Sequence, residues 1–75
     1  MANLPALSGR QVIRALERAG FSVVRVKGSH HIMKKEGHTN NVSVPVHSNQ
    51  PLKTGTLRNE IRQAGMTEDE FSSYL

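Results

Sequence analysis

Five consecutive residues, Lys27-Gly28-Ser29-His30-His31, hold the side chains in this sequence best suited to chemistry. A short apolar stretch, Phe21 to Val26, ends just before Gly28, and the chain restarts with two histidines. Imidazole has an ordinary pKa of about 6.5, so it takes up and releases protons near neutral pH and suits general acid–base work at an exposed turn. If the residues after the turn form a strand, His30 and His31 point to opposite faces and do not share one job. Most of the positive charge lies elsewhere on the chain, so a reaction here combines a histidine with cations from neighbouring elements. That combination suits a phosphodiester. A base takes a hydroxyl proton, an acid protonates the leaving oxygen, and cations or backbone amides hold the charge on the phosphoryl oxygens.

Other chemistries fit less well. A two-metal nuclease needs convergent carboxylates, and Glu17, Glu36 and Glu60 are scattered without a motif. The four histidines, His30, His31, His38 and His47, show no ligand spacing, and a zinc site without cysteine needs three or four of them to converge. No metal and no cofactor is therefore expected. Ser29 and His30, adjacent in a turn, do not give the geometry of a nucleophile and its base, and no orienting Asp follows.

At 75 residues the chain reads as one domain with a single small core. The absence of cysteine leaves stability to packing and is compatible with a reducing compartment. No apolar run approaches the roughly 20 residues that span a bilayer, and Met1 to Pro5 lack the features of a secretory signal, so a soluble, cytoplasmic protein is expected. The formal net charge of +4 understates an asymmetry, because all ten Lys and Arg lie at or before Arg62 while Glu68, Asp69 and Glu70 cluster near the end. Residues 1–62 carry a net +7, a field that attracts a polyanion, and nucleic acid is the expected class of ligand.

The elements that position the turn follow from local signals. Ser8 and Gln11 form a capping box, Leu7 and Val12 a candidate staple, and Val12, Ile13, Leu16 and Ala19 recur at helical spacing before Gly20. The spacing predicts a helix over 9–19 whose other face carries Arg10, Arg14 and Arg18, a stripe able to follow a phosphate backbone or an acidic partner. Phe21 to Lys27 reads as a strand without clean alternation, Gly28-Ser29 as a tight turn and His30 to Lys35 as the returning strand. Residues 36–41 form a looser turn. Val42, Val44 and Val46 then alternate with Ser43, Pro45 and His47 as a third strand, with Pro45 at an edge or at the end of pairing. A second helix begins near Lys53 to Thr56, buries Leu57, Ile61 and Ala64, and stops at Gly65. Thr67 and Glu70 make another capping box for a short final helix, with Met66 and Phe71 as its staple and the three acids complementing its dipole.

The expected fold is α+β: an α-β-β-β-α order with an antiparallel three-stranded sheet, helices on one face, and a short C-terminal helix, as in the double-stranded RNA-binding fold. Gly20-Phe21, Lys27-Gly28-Ser29-His30-His31, Val44-Pro45-Val46-His47, Gly55-Thr56-Leu57 through Ala64-Gly65, and Glu70-Phe71 occur in that order. Together they resemble the HicA family of toxins, small mRNA interferases of toxin–antitoxin systems. The resemblance covers nearly the whole chain. It implies a ribonuclease acting on mRNA without a metal, with His30 catalytic, and a HicB-type antitoxin covering the active site. His31 matches a position without that role, and His47 matches a recurring histidine that contacts substrate or supports the third strand. Two departures are a turn at residues 35–38 without proline and Lys53 where a proline often opens the second helix.

In this reading His30 is the general base or acid, Gly28 lets backbone approach the phosphate, and Ser29 donates a hydrogen bond or closes the turn. Lys27, Lys34 and Lys35 flank the site in sequence, and Arg58 and Arg62 are candidate phosphate ligands from the second helix. Two rivals remain. One is a non-catalytic RNA-binding module of the same fold, and the other is an interaction protein whose basic stripe meets an acidic partner. Base stacking is disfavoured, since none of Phe21, Phe71 and Tyr74 falls on the central strands.

Overall fold

Ser8 opens the first helix as its spacing to Gln11 requires. The Ser8 hydroxyl accepts the Gln11 N–H at 3.3 Å while the Gln11 side-chain oxygen accepts the Ser8 N–H at 2.8 Å. This reciprocal cap satisfies donors that the first helical turn leaves unpaired. The computed structural model describes residues 4–75, so Met1 to Asn3, part of the stretch read as lacking a signal sequence, lie outside the described residues. Helix α1 runs Gly9–Arg18, with Ala19 as its C-cap, and buries Val12, Ala15 and Leu16. Gly9 has a reason that the sequence does not disclose. The start of α1 comes so close to the chain at Pro45 that a Cβ at Gly9 would overlap the Pro45 carbonyl oxygen.

Three strands follow, β1 (Ser22–Lys27), β2 (His30–Lys34) and β3 (Val42–Pro45), paired antiparallel in the order β1-β2-β3. The β1–β2 hairpin turns on Gly28 at φ 60°, with Ser29 outside the left-handed region. A glycine of positive φ at the first central position is the pattern of a type II′ turn, whose twist matches that of the paired strands. Pro45 ends the third strand, which is shorter than the alternation of valines suggests. Val46 and His47 lie beyond the ladder because the chain turns away over residues 47–50, where Gln50 N–H donates to the His47 carbonyl at 3.1 Å and Ser48 adopts φ 53°. One bond still reaches back, from Val46 N–H to the Ser29 carbonyl at 2.7 Å.

Alternation along β2 and β3 divides the sheet. Met33, Val42 and Val44 are buried in one cluster with Val12, Leu16, Leu57, Ile61 and Phe71, so α1 and α2 (Thr54–Gln63) cover that face. Among the described residues nothing covers the opposite face, and β1 is exposed along its whole length. Helix α3 (Glu68–Ser72) closes the fold through a second capping box, Thr67 with Glu70, and seats Phe71 in the core. The two bonds from Thr67, backbone first and side chain second, hold the Glu70 carboxyl below its ordinary pKa. Among the described residues no helix is long and apolar enough to cross a membrane. The order of elements and the one-sided helical layer are those of the double-stranded RNA-binding fold expected from the sequence.

Candidate active site

Register decides which side chains meet. His30 is paired with Lys27 on β1 and Pro45 on β3, while Ile32 is paired with Arg25 and Ser43. Paired residues share a face, and residues two apart in a strand share it too. The uncovered face therefore presents His30 between Lys27 and Pro45, with Arg25, Ile32, Ser43 and Lys34 along the same surface. His30 is exposed, and its Nδ1 lies 3.2 Å from the Ser43 hydroxyl, leaving Nε2 as the nitrogen open to a ligand. The hydroxyl donates or accepts as the tautomer requires.

The residues singled out from the sequence fall into two groups. Lys27, Gly28, Ser29, His30 and Lys34 share the hairpin or its open face, and His47 lies at the same end of the sheet, one residue past the Val46–Ser29 bond. Ser29 contributes its carbonyl to that bond, a structural use of the backbone rather than of the hydroxyl. Lys35, just past β2, instead places its ammonium 5.7 Å from the centre of the Phe21 ring. Arg58 and Arg62 belong to α2 in the helical layer. They line a cavity of about 620 Å3 between α2 and α3, where Arg58 Nε lies 3.6 Å from Glu68.

Arg25 and Ser43 were not singled out for the site. Counting back two residues from Lys27 places Arg25 on its face, a count that stops short of the bulge between Val23 and Arg25. Ser43 was legible only as one of the polar residues alternating with buried valines. The other histidines serve elsewhere. His38 stacks edge-on against Phe21 at 5.4 Å, and its Nε2 lies 2.8 Å from the Gln63 carbonyl, pinning the β2–β3 loop to the end of α2. His31 faces α1. Among the described residues no group of three or more His, Asp or Glu side chains converges as a metal site would require.

Fold and face together define a class: a small α+β protein of the double-stranded RNA-binding type with one histidine and several cations on its open sheet face. The family model described as HicA toxin of bacterial toxin-antitoxin matches residues 9–66. The chain belongs to the HicA toxin family. A solved chain from a toxin–antitoxin complex of Streptococcus pneumoniae is similar in structure, with a TM-score of 0.66 and 27% identity over 83% of this chain and 100% of that one. Comparison with curated proteins found no significant match.

Proposed function

We propose that this protein is the toxin of a type II toxin–antitoxin pair and acts in the cytoplasm as a metal-independent endoribonuclease on mRNA, with His30 as its acid–base residue. The observation that carries the reading is the exposed His30 imidazole on an open basic face, oriented through Nδ1 by Ser43. With Nδ1–H donated to the Ser43 oxygen, Nε2 takes the proton of a ribose 2′-hydroxyl, and the 2′-oxygen attacks the adjacent phosphorus. The imidazolium so formed keeps its bond to Ser43, and the leaving 5′-oxygen, across the phosphorus from the attacking oxygen, takes its proton through water or a lysine. The products are a 2′,3′-cyclic phosphate and a 5′-hydroxyl. Lys27, opposite His30 in register, and Arg25 on the same face offset charge on the phosphoryl oxygens in this reading.

Family membership and the similarity to a chain from a toxin–antitoxin complex support an antitoxin partner, and the accessible face supports a HicB-type antitoxin that inhibits by covering His30. Cleavage of a defined single-stranded mRNA in EDTA, by the parent and by His30→Ala, tests the mechanism. The parent yields fragments ending in cyclic phosphate, and the variant is slower by about 10²–10⁴-fold, the usual contribution of a general acid–base group. Equal cutting by both would show that His30 is the wrong residue. Binding without cutting by either would leave a non-catalytic RNA-binding module.

A further inference from the structure

The stripe Arg10, Arg14 and Arg18 takes no part in the face around His30, and neither does His31. The structure brings most of these together on the other side of the sheet: Arg10, Ile13, Arg14, Glu17 and His31 line a cleft of about 210 Å3 between α1 and β2. Arg10 and Arg14 are exposed, lie one helical turn apart, and form no ion pair among the described residues. Arg18 is set apart from them, because its Nη1 donates to the Tyr74 carbonyl at 2.8 Å. Half-buried His31 has no hydrogen-bond partner for its buried Nδ1, whereas His30 is held by Ser43 and His38 by Gln63.

Two guanidinium groups and an uncommitted imidazole around one cleft make a receptor for phosphate oxygens, since guanidinium presents a rigid fork of donors that matches them. Among the described residues nothing blocks the way from His30. Strand β1 is exposed at every residue and forms an edge of the sheet, and Val26, paired with His31, is 57% exposed. A single strand lying over His30 can therefore turn around the hairpin edge and reach α1 without displacing any of the described residues.

We propose that this cleft is a second phosphate subsite, where Arg10, Arg14 and His31 hold a phosphodiester of the same RNA strand whose reacting phosphate lies over His30. The proposal rests on the ribonuclease reading above. Because the two subsites lie on opposite faces of one sheet, they set a minimum length of RNA that makes both contacts.

The test uses the full chain and a single-stranded RNA protected by 2′-O-methyl groups, titrated at several salt concentrations. Arg10→Gln/Arg14→Gln is expected to bind at least tenfold more weakly, with a slope of log affinity against log salt reduced by about 0.7 for one lost phosphate contact. On cleavable RNA the loss falls on KM rather than kcat, and His31→Gln shows a smaller loss of the same kind. Arg18→Gln leaves the slope unchanged. Glu17→Gln removes the one carboxylate of the cleft and tightens binding. If the double variant keeps the parent's affinity and slope while the parent cuts RNA, the subsite is overturned and the proposed function stands. If it keeps RNA affinity but no longer holds the antitoxin, the cleft docks a protein and the subsite is equally overturned. A parent chain that fails to bind RNA overturns both readings.

Discussion

On one side of β2 the chain presents His30, Ile32 and Lys34, and on the other His31 and Met33. Five consecutive residues thus serve two environments. Met33 has no solvent exposure and packs with valines of β3 against both helices. His30 is exposed, and among the described residues its side chain is hydrogen-bonded only to a serine hydroxyl of the neighbouring strand. The difference teaches how a protein of this size keeps an accessible face: one set of alternate residues secures the helices, and the other is left free of packing demands. Substitutions on the two faces should therefore separate stability from activity.

The largest effect on folding is expected at Met33. Met33→Ala removes a fully buried side chain from beneath the helices and should cost about 2–5 kcal/mol, the usual range for such a truncation. Ile32→Ala, one residue away on the open face, should cost about 1 kcal/mol or less, since that side chain never leaves solvent completely. Urea unfolding of the two variants measures the contrast. Equal losses would mean that something covers the open face.

Glu60 is the exception within the packed layer. It lies on α2 with 4% exposure, its Oε2 has no hydrogen-bond partner, and burial raises its pKa from 4.5 to about 7. A carboxyl whose folded pKa is raised binds its proton more tightly when folded. Its stabilising contribution is complete below pH 4.5 and is lost as pH rises through about 7. Relative to the parent, Glu60→Gln should gain about 2–3 kcal/mol of stability between pH 5 and pH 8. Denaturant midpoints at those two pH values decide the matter. A constant difference would show that Glu60 titrates normally.

Much of this division is legible in the sequence, and the exceptions have physical causes. Both capping boxes were visible because they depend only on residues three apart, and Val42 and Val44 revealed their buried face through strict alternation. Strand β1 resisted the same reading. Its bulge breaks the period of two, and the helices leave it exposed, so no burial pattern marks either side. Glu60 was invisible because helical spacing alone places a glutamate on the rim of a buried stripe as readily as inside it. The roles of Gly9 and His38 depend on close approaches between elements distant in sequence, to Pro45 and to Gln63, which no local pattern encodes. Arg58 and Arg62 were grouped with His30 by charge alone. Without the sheet's handedness and layering, cations on α2 cannot be separated from those on the open face.

The smallest effect sharpens the comparison most, because it tests whether the open face is organised or merely exposed. Ser43→Ala removes the only side chain bonded to His30 among the described residues and leaves the strand intact. In the proposed mechanism Ser43 is a positioning residue: without its hydroxyl the imidazole loses one hydrogen bond, worth about 1 kcal/mol, and with it the orientation that would direct Nε2 toward a ribose. Cleavage should fall about fivefold to tenfold in kcat, with a changed pH profile and stability altered by about 0.5 kcal/mol or less. Ser43→Thr, which keeps a hydroxyl and suits a strand, should restore both rate and profile. If Ser43→Ala cuts with the parent's rate and profile, strand geometry alone aims His30, and the contact at 3.2 Å is incidental to catalysis.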